Sequence, residues 1–289
     1  MTPQPPSSSA TAAQRDEADG FAAPSLNDVQ ERILDSLHRY GIAIFPFEEL
    51  LGADLWAEAL AGLAPFVREG EQAARAAADQ PASKEDVILR RFYDKADKSR
   101  GRTVLSFGDP WLRITASELV LDVVNSYCGH WSKLFYVDNW YTIPFPKADE
   151  RIGSQRWHRD PEDEHVVKAF VYCSDVDDEA GPFQYVRGSA TGGRYGDLWS
   201  WGGGERHPKA GQLEAAVAAE DRLTVTGRAG TMIICDTGGF HRGGFARAKP
   251  RVLLVSTYLP ATAAKAGKRR FDVDGLPGDL PPQVRFALE

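Results

Sequence analysis

The chain has 289 residues and a net charge of −7, with basic residues scattered rather than clustered, which argues against a general nucleic-acid binder. Hydrophobic residues at 43% and aromatics at 10% suffice for a sizeable core, and 27 glycines with 18 prolines suit a loop-rich β protein better than a helical bundle. There is no apolar run of the roughly 20 residues that span a bilayer, no signal-peptide core at the N-terminus, and no paired spacing among Cys128, Cys173 and Cys235, so the expectation is a cytoplasmic protein with no membrane partner.

Residues 1–24, rich in Pro, Ser and Ala, are expected to form a disordered tail ahead of one domain spanning 25–289. Leu26, Val29, Ile33, Leu34 and Leu37 recur at helical spacing, with Ser25 or Asn27 as the N-cap and Gly41 as the stop. Ile42–Phe45 then reads as a first strand. Further helices are expected within 48–78 and over 116–130, completing a helical part over 25–130. The texture next changes to β-branched and aromatic runs between turn signals: Lys133–Ile143, Val166–Ser174, Gly181–Val186, Leu223–Val225, Thr231–Asp236 and Val252–Tyr258. Helices packed around an antiparallel sandwich or jelly roll over 131–260, followed by a tail over 261–289, is the fold these runs predict. Between them lies a Gly- and Trp-rich insertion, Thr191–Gln212, long enough to expect a lid or a disordered loop.

The chemistry is concentrated in Trp157-His158-Arg159-Asp160-Pro161. On an extended backbone, residues i and i+2 share a face, so His158 and Asp160 converge as an imidazole nitrogen and a carboxylate oxygen. A third ligand has to come from elsewhere. His38 and His130 sit in or beside helices, His165 is too near in sequence, and His207 lies in the insertion. His241 stands out, after the strand-like run 231–236 and a Thr-Gly-Gly turn, with Arg251 ten residues further on. Two histidines and one carboxylate leave three positions open on a metal, which suits iron(II) better than a closed zinc site. The string His-Arg-Asp also occurs in protein kinases. Here it continues Pro-Glu-Asp-Glu, with neither a DFG nor a Gly-rich loop, and that reading fails.

The set HxD, distant His and Arg at +10, carried by WHRDP (157–161), GPFQYVRGS (181–189) and CDTGGFHRGG…KPR (235–251), resembles the iron(II)/2-oxoglutarate dioxygenases, most closely their phytanoyl-CoA dioxygenase-like branch. The resemblance implies a double-stranded β-helix (jelly roll, cupin-like), Fe(2+) on His158, Asp160 and His241, and 2-oxoglutarate and O2 as cosubstrates. Arg251 would pair with the distal carboxylate of the oxo acid. Family members often add a Ser or Thr near that arginine, but His241+2 is Gly243; Thr142, Thr231 and Ser256 are the candidate substitutes, with Tyr141 as a further hydroxyl. Where the family has proline before the Gly-Ser of its middle motif, this chain has Arg187. Relatives that halogenate lack the carboxylate that Asp160 supplies, so hydroxylation, desaturation or ketone formation of a small molecule is expected, in secondary metabolism by analogy. A hydroxylase of acyl-CoA or carrier-bound substrates would want a basic entrance, and a non-catalytic binding protein would not need the intact triad. Candidate substrate-facing residues are Trp157, Phe183, Trp199, Trp201 and His207, with loop packing as the alternative for the tryptophans.

Overall fold

A computed structural model describes residues 21–78, 88–91, 96–97, 102–146, 151, 153–199, 207–268 and 271–289, with backbone alone over 77–78, 88–91, 96–97 and 102–103. The first helix, α1 (Asp28–Tyr40), starts at Asn27, whose side chain accepts from the amides of Val29 and Gln30 while the Gln30 side chain accepts from the Asn27 amide. This reciprocal cap stabilises the helix start by about 1 kcal/mol. Gly41 ends it in the left-handed conformation (φ 75°). There follow β1 (Ile42–Pro46), α2 (Phe47–Leu51) and α3 (Ala53–Ala78), then β2 (Ile88–Arg91), β3 (Ala96–Asp97), β4 (Arg102–Ser106), α4 (Pro110–Thr115) and α5 (Glu118–Cys128). The β-rich part holds β5 (Ser132–Thr142), β6 (Val167–Tyr172), β7 (Phe183–Val186), α6 (Gln212–Ala216), β8 (Arg222–Val225), β9 (Thr231–Asp236), β10 (His241–Gly243) and β11 (Arg251–Pro260). The chain closes with β12 (Phe271–Asp274) and α7 (Pro282–Leu288).

Six strands form one antiparallel sheet in the order β1-β9-β6-β11-β5-β2, and three form another in the order β10-β7-β8. His158 extends the smaller sheet by an isolated bridge to His241. A third sheet, β12-β4-β3, includes a parallel pair between β12 and β4.

Period-two alternation sorts the large sheet into two cores. Val167, Ala169, Val171, Met232, Ile234, Val252 and Leu254 face the helices, packing with Ile33 and Leu37 of α1, Leu63 of α3, Val120 and Val124 of α5 and Leu288 of α7. Their neighbours Phe170, Tyr172, Ile233, Leu253 and Val255 face the smaller sheet, against Phe183, Tyr185 and Val225. Sheet interior on one face and helix contact on the other explain why β6, β9 and β11 read as nearly unbroken apolar runs.

The expected strands and helices match within a few residues, as do the antiparallel sheets with flanking helices. The segment 261–289, expected to be a tail, instead carries β12 and α7. Val284, Ala287 and Leu288 join the helix-side core, and Lys133 of β5 donates to the Phe286 carbonyl at 2.9 Å. Its charged, Gly- and Pro-interrupted sequence hides this because the apolar residues come in runs too short to show a period. Most of the expected N-terminal tail lies outside the described residues.

Candidate metal centre

Elements from both sheets bring the site together. His158 and His241 exchange backbone hydrogen bonds (3.1 and 3.0 Å), and the Asp160 amide donates to the Thr237 carbonyl at 2.9 Å. Local chain geometry then orients each imidazole. His158 Nδ1 lies 2.8 Å from the Arg156 carbonyl, and His241 Nδ1 lies 3.1 Å from the Gly239 carbonyl. A carbonyl only accepts, so both Nδ1 atoms carry the proton and both Nε2 atoms present lone pairs. Asp160 faces them, with Oδ1 4.0 Å from His158 Nε2 and Oδ2 3.7 Å from His241 Nε2. The three ligand atoms lie within 4.8 Å of one another, the only such cluster of His, Cys, Asp or Glu among the described residues. These separations are too long for hydrogen bonds and short enough to share one ion.

The electrostatics keep all three groups in their ligating forms. Burial is the largest influence on His241 and pushes its pKa down to about 3; burial likewise lowers His158. Burial alone would raise the Asp160 carboxyl, but the Lys168 ammonium and the two imidazoles outweigh it, and the carboxyl lies below its ordinary range. Lys168 Nζ sits 2.7 Å from Asp160 Oδ2, and both side chains are about nine-tenths buried.

The triad opens into a cavity of 220 Å³ whose walls include Tyr136, Trp140, Phe170, Phe183, Leu253 and, at one end, Arg251 with Thr142. Arg251 and Thr142 are direct cross-strand partners on β11 and β5. The arginine donates to the Gly181 carbonyl, while its Nε and the Thr142 hydroxyl are buried with no protein partner. Gly181 holds φ 73°, and a Cβ there would lie 2.6 Å from the Ala246 amide nitrogen, so only glycine permits this close approach. Gly243 leaves room beside the guanidinium: a Cβ at that position would lie 3.6 Å from Arg251 Nη2.

The other sequence candidates fall in different places. Phe183 lines the cavity, its ring 5.9 Å from that of His241. His207 Nδ1 donates to the Trp157 carbonyl (3.1 Å), with its ring 5.9 Å from that of His158. Trp157 points the opposite way from His158, donating to Glu214 at 2.9 Å under the Arg242 guanidinium. Trp199 packs edge-on against Phe240, outside the cavity, and Trp201 lies outside the described residues. Tyr141 faces the helices, close against Gly70 of α3, because strand alternation turns it away from Thr142. Ser256 shares that outward parity on β11. Thr231 is remote, its hydroxyl donating to the Arg228 carbonyl at 2.8 Å.

Two residues that the motif reading passed over carry much of the architecture. Lys168 is one; an ionisable residue at the same parity as Phe170 and Tyr172 in an apolar run was its signal. The other is Arg159, between the two ligands and pointing to the opposite face. Its guanidinium donates to the carbonyls of Ser189 (2.6 Å), Gly238, Gly196 (3.0 Å), Tyr195 (3.2 Å) and Leu198 (3.2 Å), and stacks on Phe240. The segment carrying His158 and Asp160, the turn before His241 and the start of the insertion are thereby tied to one side chain. Arg159→Met strands several buried carbonyls and is expected to lower stability by about 3 kcal/mol, measured as the urea midpoint of the metal-free protein. A midpoint unchanged from wild type would show that water replaces the guanidinium without cost.

Comparison with solved structures bears on what this arrangement is for. The epimerase SnoN, crystallised with Fe3+, alpha ketoglutarate and nogalamycin RO, matches with a TM-score of 0.53 at 22% identity, over 88% of this chain and 93% of SnoN. A second structure of SnoN, described as a non-heme alpha ketoglutarate dependent epimerase from nogalamycin biosynthesis, matches at 0.52 and 20% identity, over 88% and 90%. The chain has the fold of iron- and α-ketoglutarate-dependent enzymes. AviO1 from Streptomyces viridochromogenes also matches, with a TM-score of 0.50 and 15% identity over 84% of this chain and 99% of AviO1. No protein-family model and no curated protein sequence matches the chain. None of the described helices is long and apolar enough to cross a membrane. The donor set fits the iron centre that goes with the fold: two neutral imidazoles and one carboxylate, aimed at a common point and open to a cavity on the other side.

Proposed function

We propose that the protein is an iron(II)- and 2-oxoglutarate-dependent oxygenase of a small molecule, of the phytanoyl-CoA dioxygenase-like kind, built on a double-stranded β-helix. The observation that carries this reading is the pairing of two features in one cavity: the His158, Asp160, His241 cluster and, at the cavity end, a buried arginine whose Nε has no protein partner. The strand orders support the fold reading, since the large sheet contains β9-β6-β11-β5 and the facing sheet runs His158-β10-β7-β8.

Iron, when bound, would supply the oxidative chemistry that turns the oxo acid and dioxygen into succinate, carbon dioxide and an oxidised substrate. The chain's own residues set the stage for it. His158 and His241 offer Nε2 because their Nδ1 protons are committed to carbonyls, and Asp160 offers a carboxylate that Lys168 keeps ionised. Arg251 would take the distal carboxylate of the oxo acid with Thr142 as its hydroxyl partner, filling the role that Gly243 leaves open. Leu253 and Phe170 line the space between, excluding water from the oxo-acid chain. Hydroxylation of an unactivated C–H bond is the outcome we favour, with secondary-metabolite tailoring as the setting; a cavity of 220 Å³ suits a small molecule better than a coenzyme A thioester.

Anaerobic addition of iron(II) and 2-oxoglutarate should give a weak visible metal-to-ligand band, and air should then release succinate. A protein that shows neither band nor succinate is a binding module on this scaffold, and the proposal fails.

A further inference from the structure

Inward-facing side chains form four cross-strand rows along the cavity, running from β5 over β11 to β6. Thr142 and Arg251 make the first, Trp140, Leu253 and Tyr172 the second, Asp138, Val255 and Phe170 the third, and Tyr136, Thr257 and Lys168 the fourth. The first row is the oxo-acid end in the reading above. The fourth lies six residues further along β11, roughly 20 Å away, and that reading uses only its Lys168, as the partner of Asp160.

This fourth row is polar and buried. Thr257 stands directly opposite both Tyr136 and Lys168, lines the cavity, is 1% exposed, and its hydroxyl has no hydrogen-bond partner. A buried hydroxyl without a partner is costly, and such groups mark places where a partner arrives from outside the chain. Beside it, Lys168 holds Asp160 at 2.7 Å and donates to the Tyr136 hydroxyl.

Charge balance indicates what arrives. Asp160 can compensate Lys168 or contribute to a divalent ion, but not both in full. A divalent ion, Asp160, Arg251 and a dianionic oxo acid cancel one another, which leaves Lys168 with Asp138 of the third row as the remaining inward carboxylate, its Oδ2 already accepting from Trp140 Nε1 at 2.7 Å. Glu162, which also lines the cavity, is engaged by Lys265 at 3.6 Å.

We propose that Lys168, Thr257 and Tyr136 form a substrate subsite for a carboxylate, and that the substrate class is therefore small monocarboxylic acids. The proposal rests on the iron and 2-oxoglutarate reading, and goes beyond it by naming the group that anchors the substrate. Lys168 supplies the charge, and the Thr257 hydroxyl donates the second hydrogen bond. Tyr136 holds the ammonium on the cavity side.

The test uses protein loaded with zinc(II), which is redox-inert, and 2-oxoglutarate. Benzoate, 3-phenylpropanoate and acetate are titrated by calorimetry against their amides and methyl esters. The expected result is that carboxylates bind and the neutral analogues do not. Thr257→Val should weaken carboxylate binding by about fivefold while still taking up zinc and 2-oxoglutarate, and Lys168→Met should weaken it by about tenfold or more at saturating zinc, as loss of a buried charge partner does. Thr257→Val is nearly isosteric, so it decides the matter even if Lys168→Met folds poorly. Carboxylate affinity equal to that of the amides, affinity unchanged in both variants, or no carboxylate binding at millimolar concentration would each overturn the proposal. A loss confined to 2-oxoglutarate binding would assign the row to the cosubstrate instead and overturn it too. Failure of wild type to bind zinc and 2-oxoglutarate at all would count first against the metal reading.

Discussion

Asp160→Ala is expected to lose metal binding and folding stability together, and the two losses have separate causes. The metal loses its only anionic ligand among the three, so affinity should fall by more than the roughly 10–100-fold that removal of an outer hydrogen-bond partner costs. Stability falls because Lys168 stays behind. Its side chain is 10% exposed and its ion-pair partner is Asp160 at 2.7 Å. Breaking a buried pair from one side typically costs roughly 3–5 kcal/mol, since a charge is left desolvated. Replacing both residues removes that penalty, so Asp160→Ala with Lys168→Met should recover most of the lost stability while remaining unable to bind metal. Urea denaturation of the four metal-free proteins gives the coupling energy, and cobalt(II) absorption reports the site. A double variant no more stable than Asp160→Ala would mean that the ammonium finds water when its partner goes.

The second large effect is expected for Arg251→Met. The guanidinium is buried at the cavity end, with one donor on the Gly181 carbonyl and its Nε uncommitted. A dicarboxylate entering that end without the arginine would bury a charge with no counter-ion. Losing one side of a buried, hydrogen-bonded charge pair costs about 2–5 kcal/mol, which is roughly 30-fold to several thousandfold in affinity. Iron binding should survive, because the triad is carried by other residues. Oxo-acid titration followed by the visible band, run beside metal titration alone, separates the two. Equal oxo-acid affinity in the variant and wild type would remove Arg251 from the site.

The clustering of the candidate metal triad was legible because its information is local. His158 and Asp160 need only strand alternation, and His241 follows a strand-like run and a glycine turn. Thr142 was named among several hydroxyls, and only the register between β5 and β11 separates it from Tyr141, one residue away on the opposite face. Thr231 and Ser256 failed for the same kind of reason: composition shows a hydroxyl, while parity and distance decide whether it reaches the cavity. Strands β2 and β12 were not anticipated because Ile88–Arg91 and Phe271–Asp274 are only four residues each, too short for a period-two pattern to stand out. Trp157 was offered as substrate-facing or packing, and its neighbour's inward direction forces it outward. Arg159 could not have been read as a clamp, since all five of its acceptors are backbone carbonyls, which leave no trace in sequence.

Each histidine ligand takes its orientation from a carbonyl two residues earlier in its own chain segment, Arg156 for His158 and Gly239 for His241. The imidazoles are thus aimed by short, self-contained turns rather than by the ion. Loading then demands little rearrangement, so the entropy of assembling ligands is settled during folding and not at capture. A chelator should accordingly strip the site and leave the fold standing, ready to be refilled, in contrast to small metal domains whose ligands converge only around their ion.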